Sequence, residues 1–215
     1  IQIRVNQRKS EISRIGNTMK ILFATSNENK VAEASMLLVE SGHVVEQLLV
    51  GGVPLKFDEP KELGIKAVAR SKMSQALFLL AQEGIKEVAV MVEDSGVFLD
   101  AFDEWPGSES ADVEAEIGLE GVLSLLEGEM SRGAEYRAVA LVSDGNSTWS
   151  AEGICRGIIA ESAKGEGGFG YDPIFIPDEG DGRTFGEWEE GKYTGITHRA
   201  KAMNSLVELL KAPSR

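Results

Sequence analysis

The stretch Val88-Ala89-Val90-Met91-Val92-Glu93-Asp94-Ser95-Gly96 joins an uninterrupted apolar run to two acids. Five consecutive apolar residues, three of them β-branched valines, predict a strand that is buried on both faces. Glu93 and Asp94 would then follow the strand at its carboxyl end, which is where open α/β sheets bind their ligands. Adjacent carboxylates at this edge can hold Mg²⁺ or activate a water, and a turn with exposed acids is the alternative.

A strand, a turn and a helix precede this run along the chain. Residues 20–25 are mostly apolar and are followed by Ser26-Asn27. Apolar residues then recur at helical spacing through Leu38. This pattern predicts a strand and then a helix capped by Ser26 or Asn27 and ended by Gly42.

The turn itself, Thr25-Ser26-Asn27-Glu28-Asn29-Lys30, has the composition of a phosphate-binding loop. A helix amino terminus presents N–H groups and a partial positive charge, to which Thr25, Ser26 and Asn27 add donors. Lys30, one turn into the helix, supplies a full positive charge for phosphate oxygens. An ordinary helix cap with a solvated lysine is the alternative.

The rest of the chain alternates strands and helices early and is richer in strands later. Strands are predicted at Val44–Val50, Tyr136–Val142, Thr148–Ile159 and Ile174–Ile176, and helices at Lys61–Gly84, Ile117–Leu126 and His198–Lys211. This order indicates an α/β fold with a mixed sheet.

An acidic segment, Asp58-Glu59-Pro60-Lys61-Glu62, stands at the predicted start of the second helix. Negative charge at a helix amino terminus is stabilised by the helix dipole, which explains these acids without any function. The segment is otherwise a candidate source of a second metal ligand. Glu59 and Glu62 are the rival candidates within it.

A glycine-rich loop, Gly165-Glu166-Gly167-Gly168-Phe169-Gly170-Tyr171-Asp172-Pro173, formally contains G-x-G-x-x-G. That motif indicates a dinucleotide site only between a strand and a helix, whereas Pro173 and the apolar residues after it predict a strand. A loop of this composition suits a flat ring, because Phe169 can stack and glycine lets the backbone approach closely. A tight turn with two core aromatic residues is the alternative.

Lys192 and Thr197-His198-Arg199 form the last constellation, at the start of the closing helix. Their side chains offer many hydrogen-bond donors, which suit a phosphate or the carbonyl edge of a base. Cations oppose the dipole at a helix amino terminus, so a purely structural role is less favourable there. A surface His-Arg pair is the alternative.

The bulk composition narrows the class of protein. A formal net charge of −13 disfavours nucleic acid as a partner, since binding it requires neutralisation of phosphates by Lys and Arg. The single cysteine, Cys155, excludes an intrachain disulfide and favours a reducing, intracellular compartment. Apolar runs of the length that spans a bilayer are absent, so no membrane partner is expected.

Four of these motifs matter in combination: Ser26-Asn27 with Lys30, Glu93-Asp94-Ser95-Gly96, Gly168-Phe169-Gly170-Tyr171-Asp172-Pro173-Ile174-Phe175 and Thr197-His198-Arg199. In this order and at this spacing they resemble the motifs of the inosine triphosphate pyrophosphatase family, also called the Ham1 or RdgB-type purine triphosphatases. The resemblance covers Met19 to about Leu210. It implies a two-lobed, elongated α/β fold on a long curved mixed sheet with flanking helices and a central cleft. It also implies a Mg²⁺-dependent homodimer, with the pyrophosphatase domain at 19–212. The single cysteine favours a cytoplasmic location. Residues 1–18 carry a local charge of +3 and precede the first predicted strand, so they are expected to be an upstream extension or a start-site artefact, with a targeting peptide as the alternative.

The resemblance further implies a role for each residue of the motifs. Asp94 would be the catalytic acid that binds metal and activates water, with Glu93 and Glu59 as further metal ligands and Ser95 assisting. The substrate-binding residues would be Thr25, Ser26, Asn27, Lys30, Lys72, Ser95, Phe169, Gly170, Tyr171, Asp172, Lys192, His198 and Arg199. Phe169 would stack on the purine, and the two lysines Lys30 and Lys72 would hold phosphates.

The expected activity is hydrolysis of ITP, dITP and XTP to the monophosphate and pyrophosphate, which removes non-standard purine nucleotides from the nucleotide pool. Discrimination would depend on the 6-oxo group, which accepts a hydrogen bond where the amino group of adenine donates one. A nucleotide-binding regulatory module without turnover is one alternative. A pyrophosphatase for other modified nucleotides is the other.

Overall fold

The computed structural model describes residues 19–85, 88–189 and 195–211. The strands are β1 (Lys20–Phe23), β2 (Val44–Gln47), β3 (Leu49–Val50), β4 (Val53–Pro54), β5 (Ala89–Leu99), β6 (Pro106–Gly107), β7 (Gly133–Ser143), β8 (Thr148–Ile159) and β9 (Phe175–Pro177). The α-helices are α1 (Glu28–Val39), α2 (Ile65–Gln82), α3 (Ser110–Leu125) and α4 (His198–Lys211). The predicted α/β class is confirmed.

Seven of the strands form one mixed sheet in the order β2-β1-β5-β7-β8-β9, with β6 paired to β5. The strand β1 runs parallel to both β2 and β5, whereas the β5–β6 and β8–β9 pairs are antiparallel. The two short strands β3 and β4 form a separate antiparallel ribbon. The predicted mixed sheet is therefore confirmed.

The chain divides into two compact units, and three strands contribute residues to both. The first unit contains the described residues up to Asp94, Val139–Glu152 and those from Ala202 onward. The second contains Ser95–Ala138 and Gly153–Lys201. The boundary on β5 falls between the neighbouring residues Asp94 and Ser95.

In the first unit, apolar side chains from β1, β5 and the two helices α1 and α2 are buried. Ile21, Phe23, Leu38, Val68, Met73, Ala76, Leu80, Val90, Met91 and Val92 are each at most 4% exposed. The first half of β5 is buried at every residue from Ala89 to Asp94, as its apolar sequence predicts for a strand covered on both faces. Glu93 and Asp94 therefore enter the protein interior together with this strand.

The second unit has its own aromatic core. Val97, Leu99, Val122, Leu126, Tyr136, Tyr171, Ile174, Phe175 and Phe185 are among its buried members. Gly96 lets β5 pass against β6, because a Cβ at that position would lie 1.9 Å from the carbonyl oxygen of Gly107. A larger residue at position 96 would force these two strands apart.

Two predicted strand boundaries are wrong. The strand predicted at 88–92 continues through the acids to Leu99, so Glu93 and Asp94 lie within β5 rather than after its carboxyl end. The strand predicted at Val44–Val50 is interrupted at Leu48, which donates its backbone N–H to the carbonyl of Phe23. Glu93 and Asp94 remain in the strand because each has a lysine partner, which compensates the burial of its charge.

Two predicted helices also differ from the observed ones. The helix predicted at Lys61–Gly84 is a short 3₁₀ turn followed by α2, because Gly64 interrupts it with φ 80° and ψ 171°. The helix predicted from Ile117 begins seven residues earlier, at Ser110, and is kinked at Gly118, where φ is 66°. The predictions of the Thr148–Ile159 strand and the His198–Lys211 helix are confirmed at both ends.

The described helices contain none that is long and apolar enough to cross a membrane. Residues 1–18, for which an extension or a targeting peptide is predicted, lie outside the described residues. Lys192, a predicted ligand-binding residue, lies outside them as well.

Candidate active site

The turn between β1 and α1 is held by its own side chains. Asn27 caps α1, because its Oδ1 accepts hydrogen bonds from the backbone N–H groups of Asn29 at 2.9 Å and Lys30 at 3.2 Å. The Thr25 hydroxyl accepts a hydrogen bond from the N–H of Asn27 at 3.2 Å. Ser26 is exposed at the tip of the turn. Asn27 is thus the predicted cap. Its side chain accepts hydrogen bonds from two of the backbone N–H groups that are predicted to bind phosphate.

Lys30 reaches from α1 to the acid pair on β5. Its Nζ lies 2.6 Å from Oε2 of Glu93, whose side chain is fully buried. The lysine side chain itself is 15% exposed. The lysine predicted to bind phosphate and one predicted metal ligand are therefore in direct contact.

Lys72, on α2, bridges two further carboxylates. Its Nζ lies 2.7 Å from Oδ1 of Asp94 and 2.8 Å from Oε1 of Glu59. Glu62, the rival of Glu59, is exposed on the short 3₁₀ turn. We call the five residues Lys30, Glu59, Lys72, Glu93 and Asp94 the lysine–carboxylate cluster.

Burial and ion pairing act in opposite directions on this cluster. Burial raises the pKa of Asp94 to about 6, although the charges of Lys72 and Lys30 partly offset it. Burial lowers the pKa of Lys72, but its ion pairs with Asp94 and Glu59 outweigh burial and leave the pKa above its ordinary value. At neutral pH Lys72 is therefore protonated, and Asp94, with its raised pKa, lies close to the range in which it takes up a proton.

The fit of a divalent cation to this cluster depends on its oxygen atoms. The Oδ2 atom of Asp94 is buried and accepts no hydrogen bond from the described residues, whereas Oδ1 is bound to Lys72. Such a carboxylate oxygen is the kind of ligand that Mg²⁺ prefers. In the described ranges, no three His, Cys, Asp or Glu side chains are grouped as a metal site, and Lys72 contacts both Glu59 and Asp94. The Oδ2 atom of Asp94 therefore fits such an ion, and the full ligand set stays a prediction.

A second cluster is built on the loop Gly168–Asp172, which we call the aromatic loop. Asp172 is buried and accepts the N–H of Phe169 with Oδ2 at 2.9 Å. Gly168, with φ 71°, wraps closely around this carboxylate, since a Cβ there would lie 2.1 Å from Oδ2. Asp172 therefore fixes the conformation of the loop that carries Phe169.

The start of α4 supplies the cationic part of the second cluster. Arg199 is 3% exposed, and its guanidinium carbon lies 5.5 Å from the centre of the Phe169 ring, within the range of a cation–π contact. The same guanidinium donates to the Ser95 hydroxyl at 3.3 Å. His198 is also buried and stacks on Tyr136. We call Ser95, Tyr136, Phe169, Asp172, His198 and Arg199 the aromatic cluster.

The other two predicted residues of the loop have different surroundings. Tyr171 is 2% exposed, and its hydroxyl donates to the backbone carbonyl of Ser110 at 3.0 Å. Its ring belongs to the core of the second unit, so a ligand contact from this residue would involve its backbone. Gly170 has φ 65°, which favours glycine over a residue with a Cβ.

Ten of the predicted site residues fall into two groups. One contains Lys30, Lys72 and the acids Glu59, Glu93 and Asp94, and the other contains Ser95, Phe169, Asp172, His198 and Arg199. Sequence reasoning missed Tyr136, whose hydroxyl contacts Asp172 and whose ring contacts His198. A single tyrosine in a predicted strand carries no local signal of these contacts.

Comparison with known proteins gives one consistent result. A model of the Ham1 family matches residues 21–209. The chain is 40% identical over 194 residues to a dITP/XTP pyrophosphatase of Methanopyrus kandleri, which covers 90% of this chain and 97% of the relative. It is 38% identical over 188 residues to a dITP/XTP pyrophosphatase of Pyrobaculum aerophilum, and this match covers 87% of this chain and 94% of the relative.

Solved structures agree with the sequence relatives. The Ham1 protein of Staphylococcus aureus is 26% identical and superimposes with a TM-score of 0.74 over 89% of this chain and 98% of that chain. A nucleoside-triphosphatase / dITP/XTP pyrophosphatase from Mycobacterium abscessus is 29% identical and has a TM-score of 0.65. This match covers 87% of this chain and 98% of that chain. Since the matched span holds the β1–α1 turn, the lysine–carboxylate pairs, the aromatic loop and the start of α4, this chain belongs to the Ham1 family.

Proposed function

We propose that this chain is a Mg²⁺-dependent pyrophosphatase that hydrolyses ITP, dITP and XTP to the nucleoside monophosphate and pyrophosphate. Relatives that cover most of the chain are named dITP/XTP pyrophosphatases, which supports this activity. The observation that carries the proposal is the pairing of Lys30 and Lys72 with the adjacent acids Glu93 and Asp94 inside β5. Two cations beside two buried carboxylates can bind a metal–triphosphate and move a proton.

The lysine–carboxylate cluster performs the chemical step. Asp94 accepts a proton from a water that attacks the α-phosphorus, and the bond from that phosphorus to the bridging oxygen breaks as pyrophosphate leaves. Asp94, Glu93 and Glu59 would hold Mg²⁺, and the ion would supply Lewis-acid stabilisation of the phosphoryl oxygens. Lys30 and Lys72 stabilise the same developing negative charge, which is the main requirement of phosphoryl transfer.

The β1–α1 turn completes the binding of the triphosphate in this proposal. Thr25, Ser26 and Asn27 stand at the amino terminus of α1, where donors and the helix dipole favour anions. Lys192 is proposed as a further phosphate ligand on the strength of the family resemblance alone.

The aromatic cluster recognises the base. Phe169 is half-buried and stacks on the purine, and Arg199 together with backbone N–H groups donates to the 6-oxo group. ATP presents an amino donor at the same position, so the donors of the site would remain unmatched. A site built to bind one hydrogen-bonding pattern rejects the other by several orders of magnitude.

The assembly and location of the protein are also proposed. The family resemblance supports a homodimer, and the single cysteine, which is buried at Cys155, is compatible with the reducing cytoplasm. The net charge of −13 supports a small nucleotide rather than a nucleic acid as the partner. Light scattering coupled to gel filtration tests the dimer, and a monomer at micromolar concentration would contradict it.

A nucleotide panel tests the activity directly. We expect pyrophosphate and monophosphate from ITP, dITP and XTP with Mg²⁺, much slower release from ATP, and no release in EDTA. Diphosphate and inorganic phosphate as products would contradict attack at the α-phosphorus. Binding without turnover would indicate a regulatory module, and a preference for a modified pyrimidine would indicate another house-cleaning pyrophosphatase.

A further inference from the structure

Tyr136 is the residue of the aromatic cluster to which neither the sequence motifs nor the proposed function gives a role. It lies on β7, is 7% exposed, and its hydroxyl donates to Oδ1 of Asp172 at 3.2 Å. Its ring is parallel to that of His198, with the ring centres 4.4 Å apart and an interplanar angle of 4°. One side chain thus contacts both the aromatic loop and the start of α4.

The contact with Asp172 extends to Phe169. Asp172 uses one carboxylate oxygen for the N–H of Phe169 and the other for the Tyr136 hydroxyl. A carboxylate held at both oxygens cannot rotate without losing one of these bonds. The Tyr136 hydroxyl therefore restricts the orientation of Asp172 and, through it, the backbone at Phe169.

The contact with His198 extends to Arg199. His198 and Arg199 are consecutive at the beginning of α4, where both are buried. Because stacked aromatic rings have a preferred offset and separation, the Tyr136 ring limits how far this helix end can shift. Arg199 is the cation that faces the Phe169 ring, so its distance from that ring depends on the same helix end.

The protonation state of Tyr136 suits this role. Burial, followed by the neighbouring charge of Asp172, raises the pKa of Tyr136 well above its ordinary value. The hydroxyl therefore remains a neutral donor throughout the physiological range. Its hydrogen bond to a carboxylate is of the stronger, charge-assisted kind.

We propose that Tyr136 is a positioning residue that fixes Phe169 and Arg199 relative to each other and thereby sets the selectivity for the base. The inference rests on the proposed function, since it concerns the base that the aromatic cluster recognises. Tyr136 acts through Asp172 and His198 and does not itself contact the nucleotide. Its removal therefore affects discrimination between purines and leaves the binding of phosphates unchanged.

Tyr136→Phe is the sharpest variant, because it removes the hydroxyl and retains the ring that stacks on His198. The matched control is Ser143→Ala, which removes another buried hydroxyl from β7, one that donates to the Ser147 carbonyl at 3.0 Å. The assays are kcat and KM for ITP and ATP, the affinity for tripolyphosphate, which has no base, and the thermal midpoint of each variant.

We expect Tyr136→Phe to lower kcat/KM for ITP about tenfold, mainly through KM. The ITP:ATP ratio, which is kcat/KM for ITP divided by kcat/KM for ATP, should fall by a similar factor. Tripolyphosphate affinity should be that of the wild type, and Ser143→Ala should keep the wild-type ratio even if its thermal midpoint falls. A merely structural role would lower the midpoint without changing the ratio.

Three results would overturn the inference and leave the proposed function standing. They are an unchanged ITP:ATP ratio in Tyr136→Phe, an equal change of that ratio in Ser143→Ala, and a parallel loss of tripolyphosphate binding in Tyr136→Phe. If the wild-type enzyme releases no pyrophosphate from ITP, the proposed function fails and the inference fails with it.

Discussion

The two units of this protein use a buried aspartate in opposite ways. Asp94 in the first unit accepts a hydrogen bond from an ammonium group, Lys72, and keeps Oδ2 without a hydrogen bond from the described residues. Asp172 in the second unit is held by the Tyr136 hydroxyl and the Phe169 N–H, one on each oxygen. The first carboxylate retains capacity for a metal or a proton, whereas the second is committed to holding a loop.

In the proposed function this difference separates chemistry from recognition. Ion pairs between buried groups carry large electrostatic energies and change with ligand charge or protonation. Hydrogen bonds from neutral donors mainly fix the geometry of the groups that they join. Variants of the lysine–carboxylate cluster should therefore affect all nucleotides alike, and variants of the aromatic cluster should affect nucleotides according to their base.

Asp94→Asn should have the largest effect. The amide accepts no proton and binds metal weakly, so we expect kcat to fall about 10³-fold for ITP and ATP alike. Circular dichroism should show an intact fold. Glu152→Gln is the control, since Glu152 also pairs with a lysine, Lys66 at 2.8 Å, but lies at the surface. Near-normal turnover by Asp94→Asn would show that another group is the base.

The next largest effect should be a pH dependence of stability that arises from Asp94. In the metal-free protein the pKa of Asp94 is raised to about 6 from 3.8, so the folded state holds this proton more tightly than the unfolded state. The stabilisation from the protonated group is complete below about pH 4 and is lost as the pH rises through 6. The loss is on the order of 3 kcal/mol.

Urea unfolding of the wild type and Asp94→Asn in EDTA, between pH 4 and pH 7.5, measures this effect. The free energy of unfolding of the wild type should fall relative to that of the variant as the pH rises. A difference between the two proteins that is constant over this range would contradict the raised pKa.

Phe169→Ala tests the recognition side. Loss of the stacking surface should raise KM for ITP by about 10- to 100-fold, because stacking of one base on an aromatic side chain contributes ~1–3 kcal/mol. Affinity for tripolyphosphate should not change. The control is Phe78→Ala, since Phe78 is 65% exposed on α2. Equal losses for ITP and tripolyphosphate would remove the division between the clusters.

Glu59→Gln and Glu62→Gln should give the smallest effects, and they should differ. Glu59 contacts Lys72, which contacts Asp94, whereas Glu62 is exposed. We expect Glu59→Gln to raise the Mg²⁺ concentration for half-maximal rate about tenfold, in the range seen for lost metal-supporting groups. Glu62→Gln should match the wild type. The reverse result would make Glu62 the metal ligand.

The fold was predictable where a local signal determined it. The β1–α1 unit follows from an apolar run and the Asn27 cap, and α4 from its apolar spacing and sharp start at His198. The length of β5 was not predictable, because polar residues ordinarily end a buried strand. Glu93 and Asp94 stay inside β5 through lysines on two separate helices, and such pairing between distant residues is invisible to a local pattern.

The candidate site divides in the same way. The Phe169 loop and the His198-Arg199 pair stand out in sequence because of their glycines, aromatic residues and cations. Tyr136 does not, since its importance arises only from contacts with Asp172 and His198, 36 and 62 positions away. The family is confirmed, while the individual roles of the site residues stay predictions until variants are measured.

The most direct test of the division between chemistry and recognition compares Lys30→Met with Arg199→Met. The quantity to measure is the ratio of kcat/KM for ITP to that for ATP, in each variant and in the wild type. Lys30→Met should lower kcat/KM for ITP and for ATP and keep their ratio, whereas Arg199→Met should bring the ratio close to one. A changed ratio in Lys30→Met together with a wild-type ratio in Arg199→Met would contradict the division between chemistry and recognition.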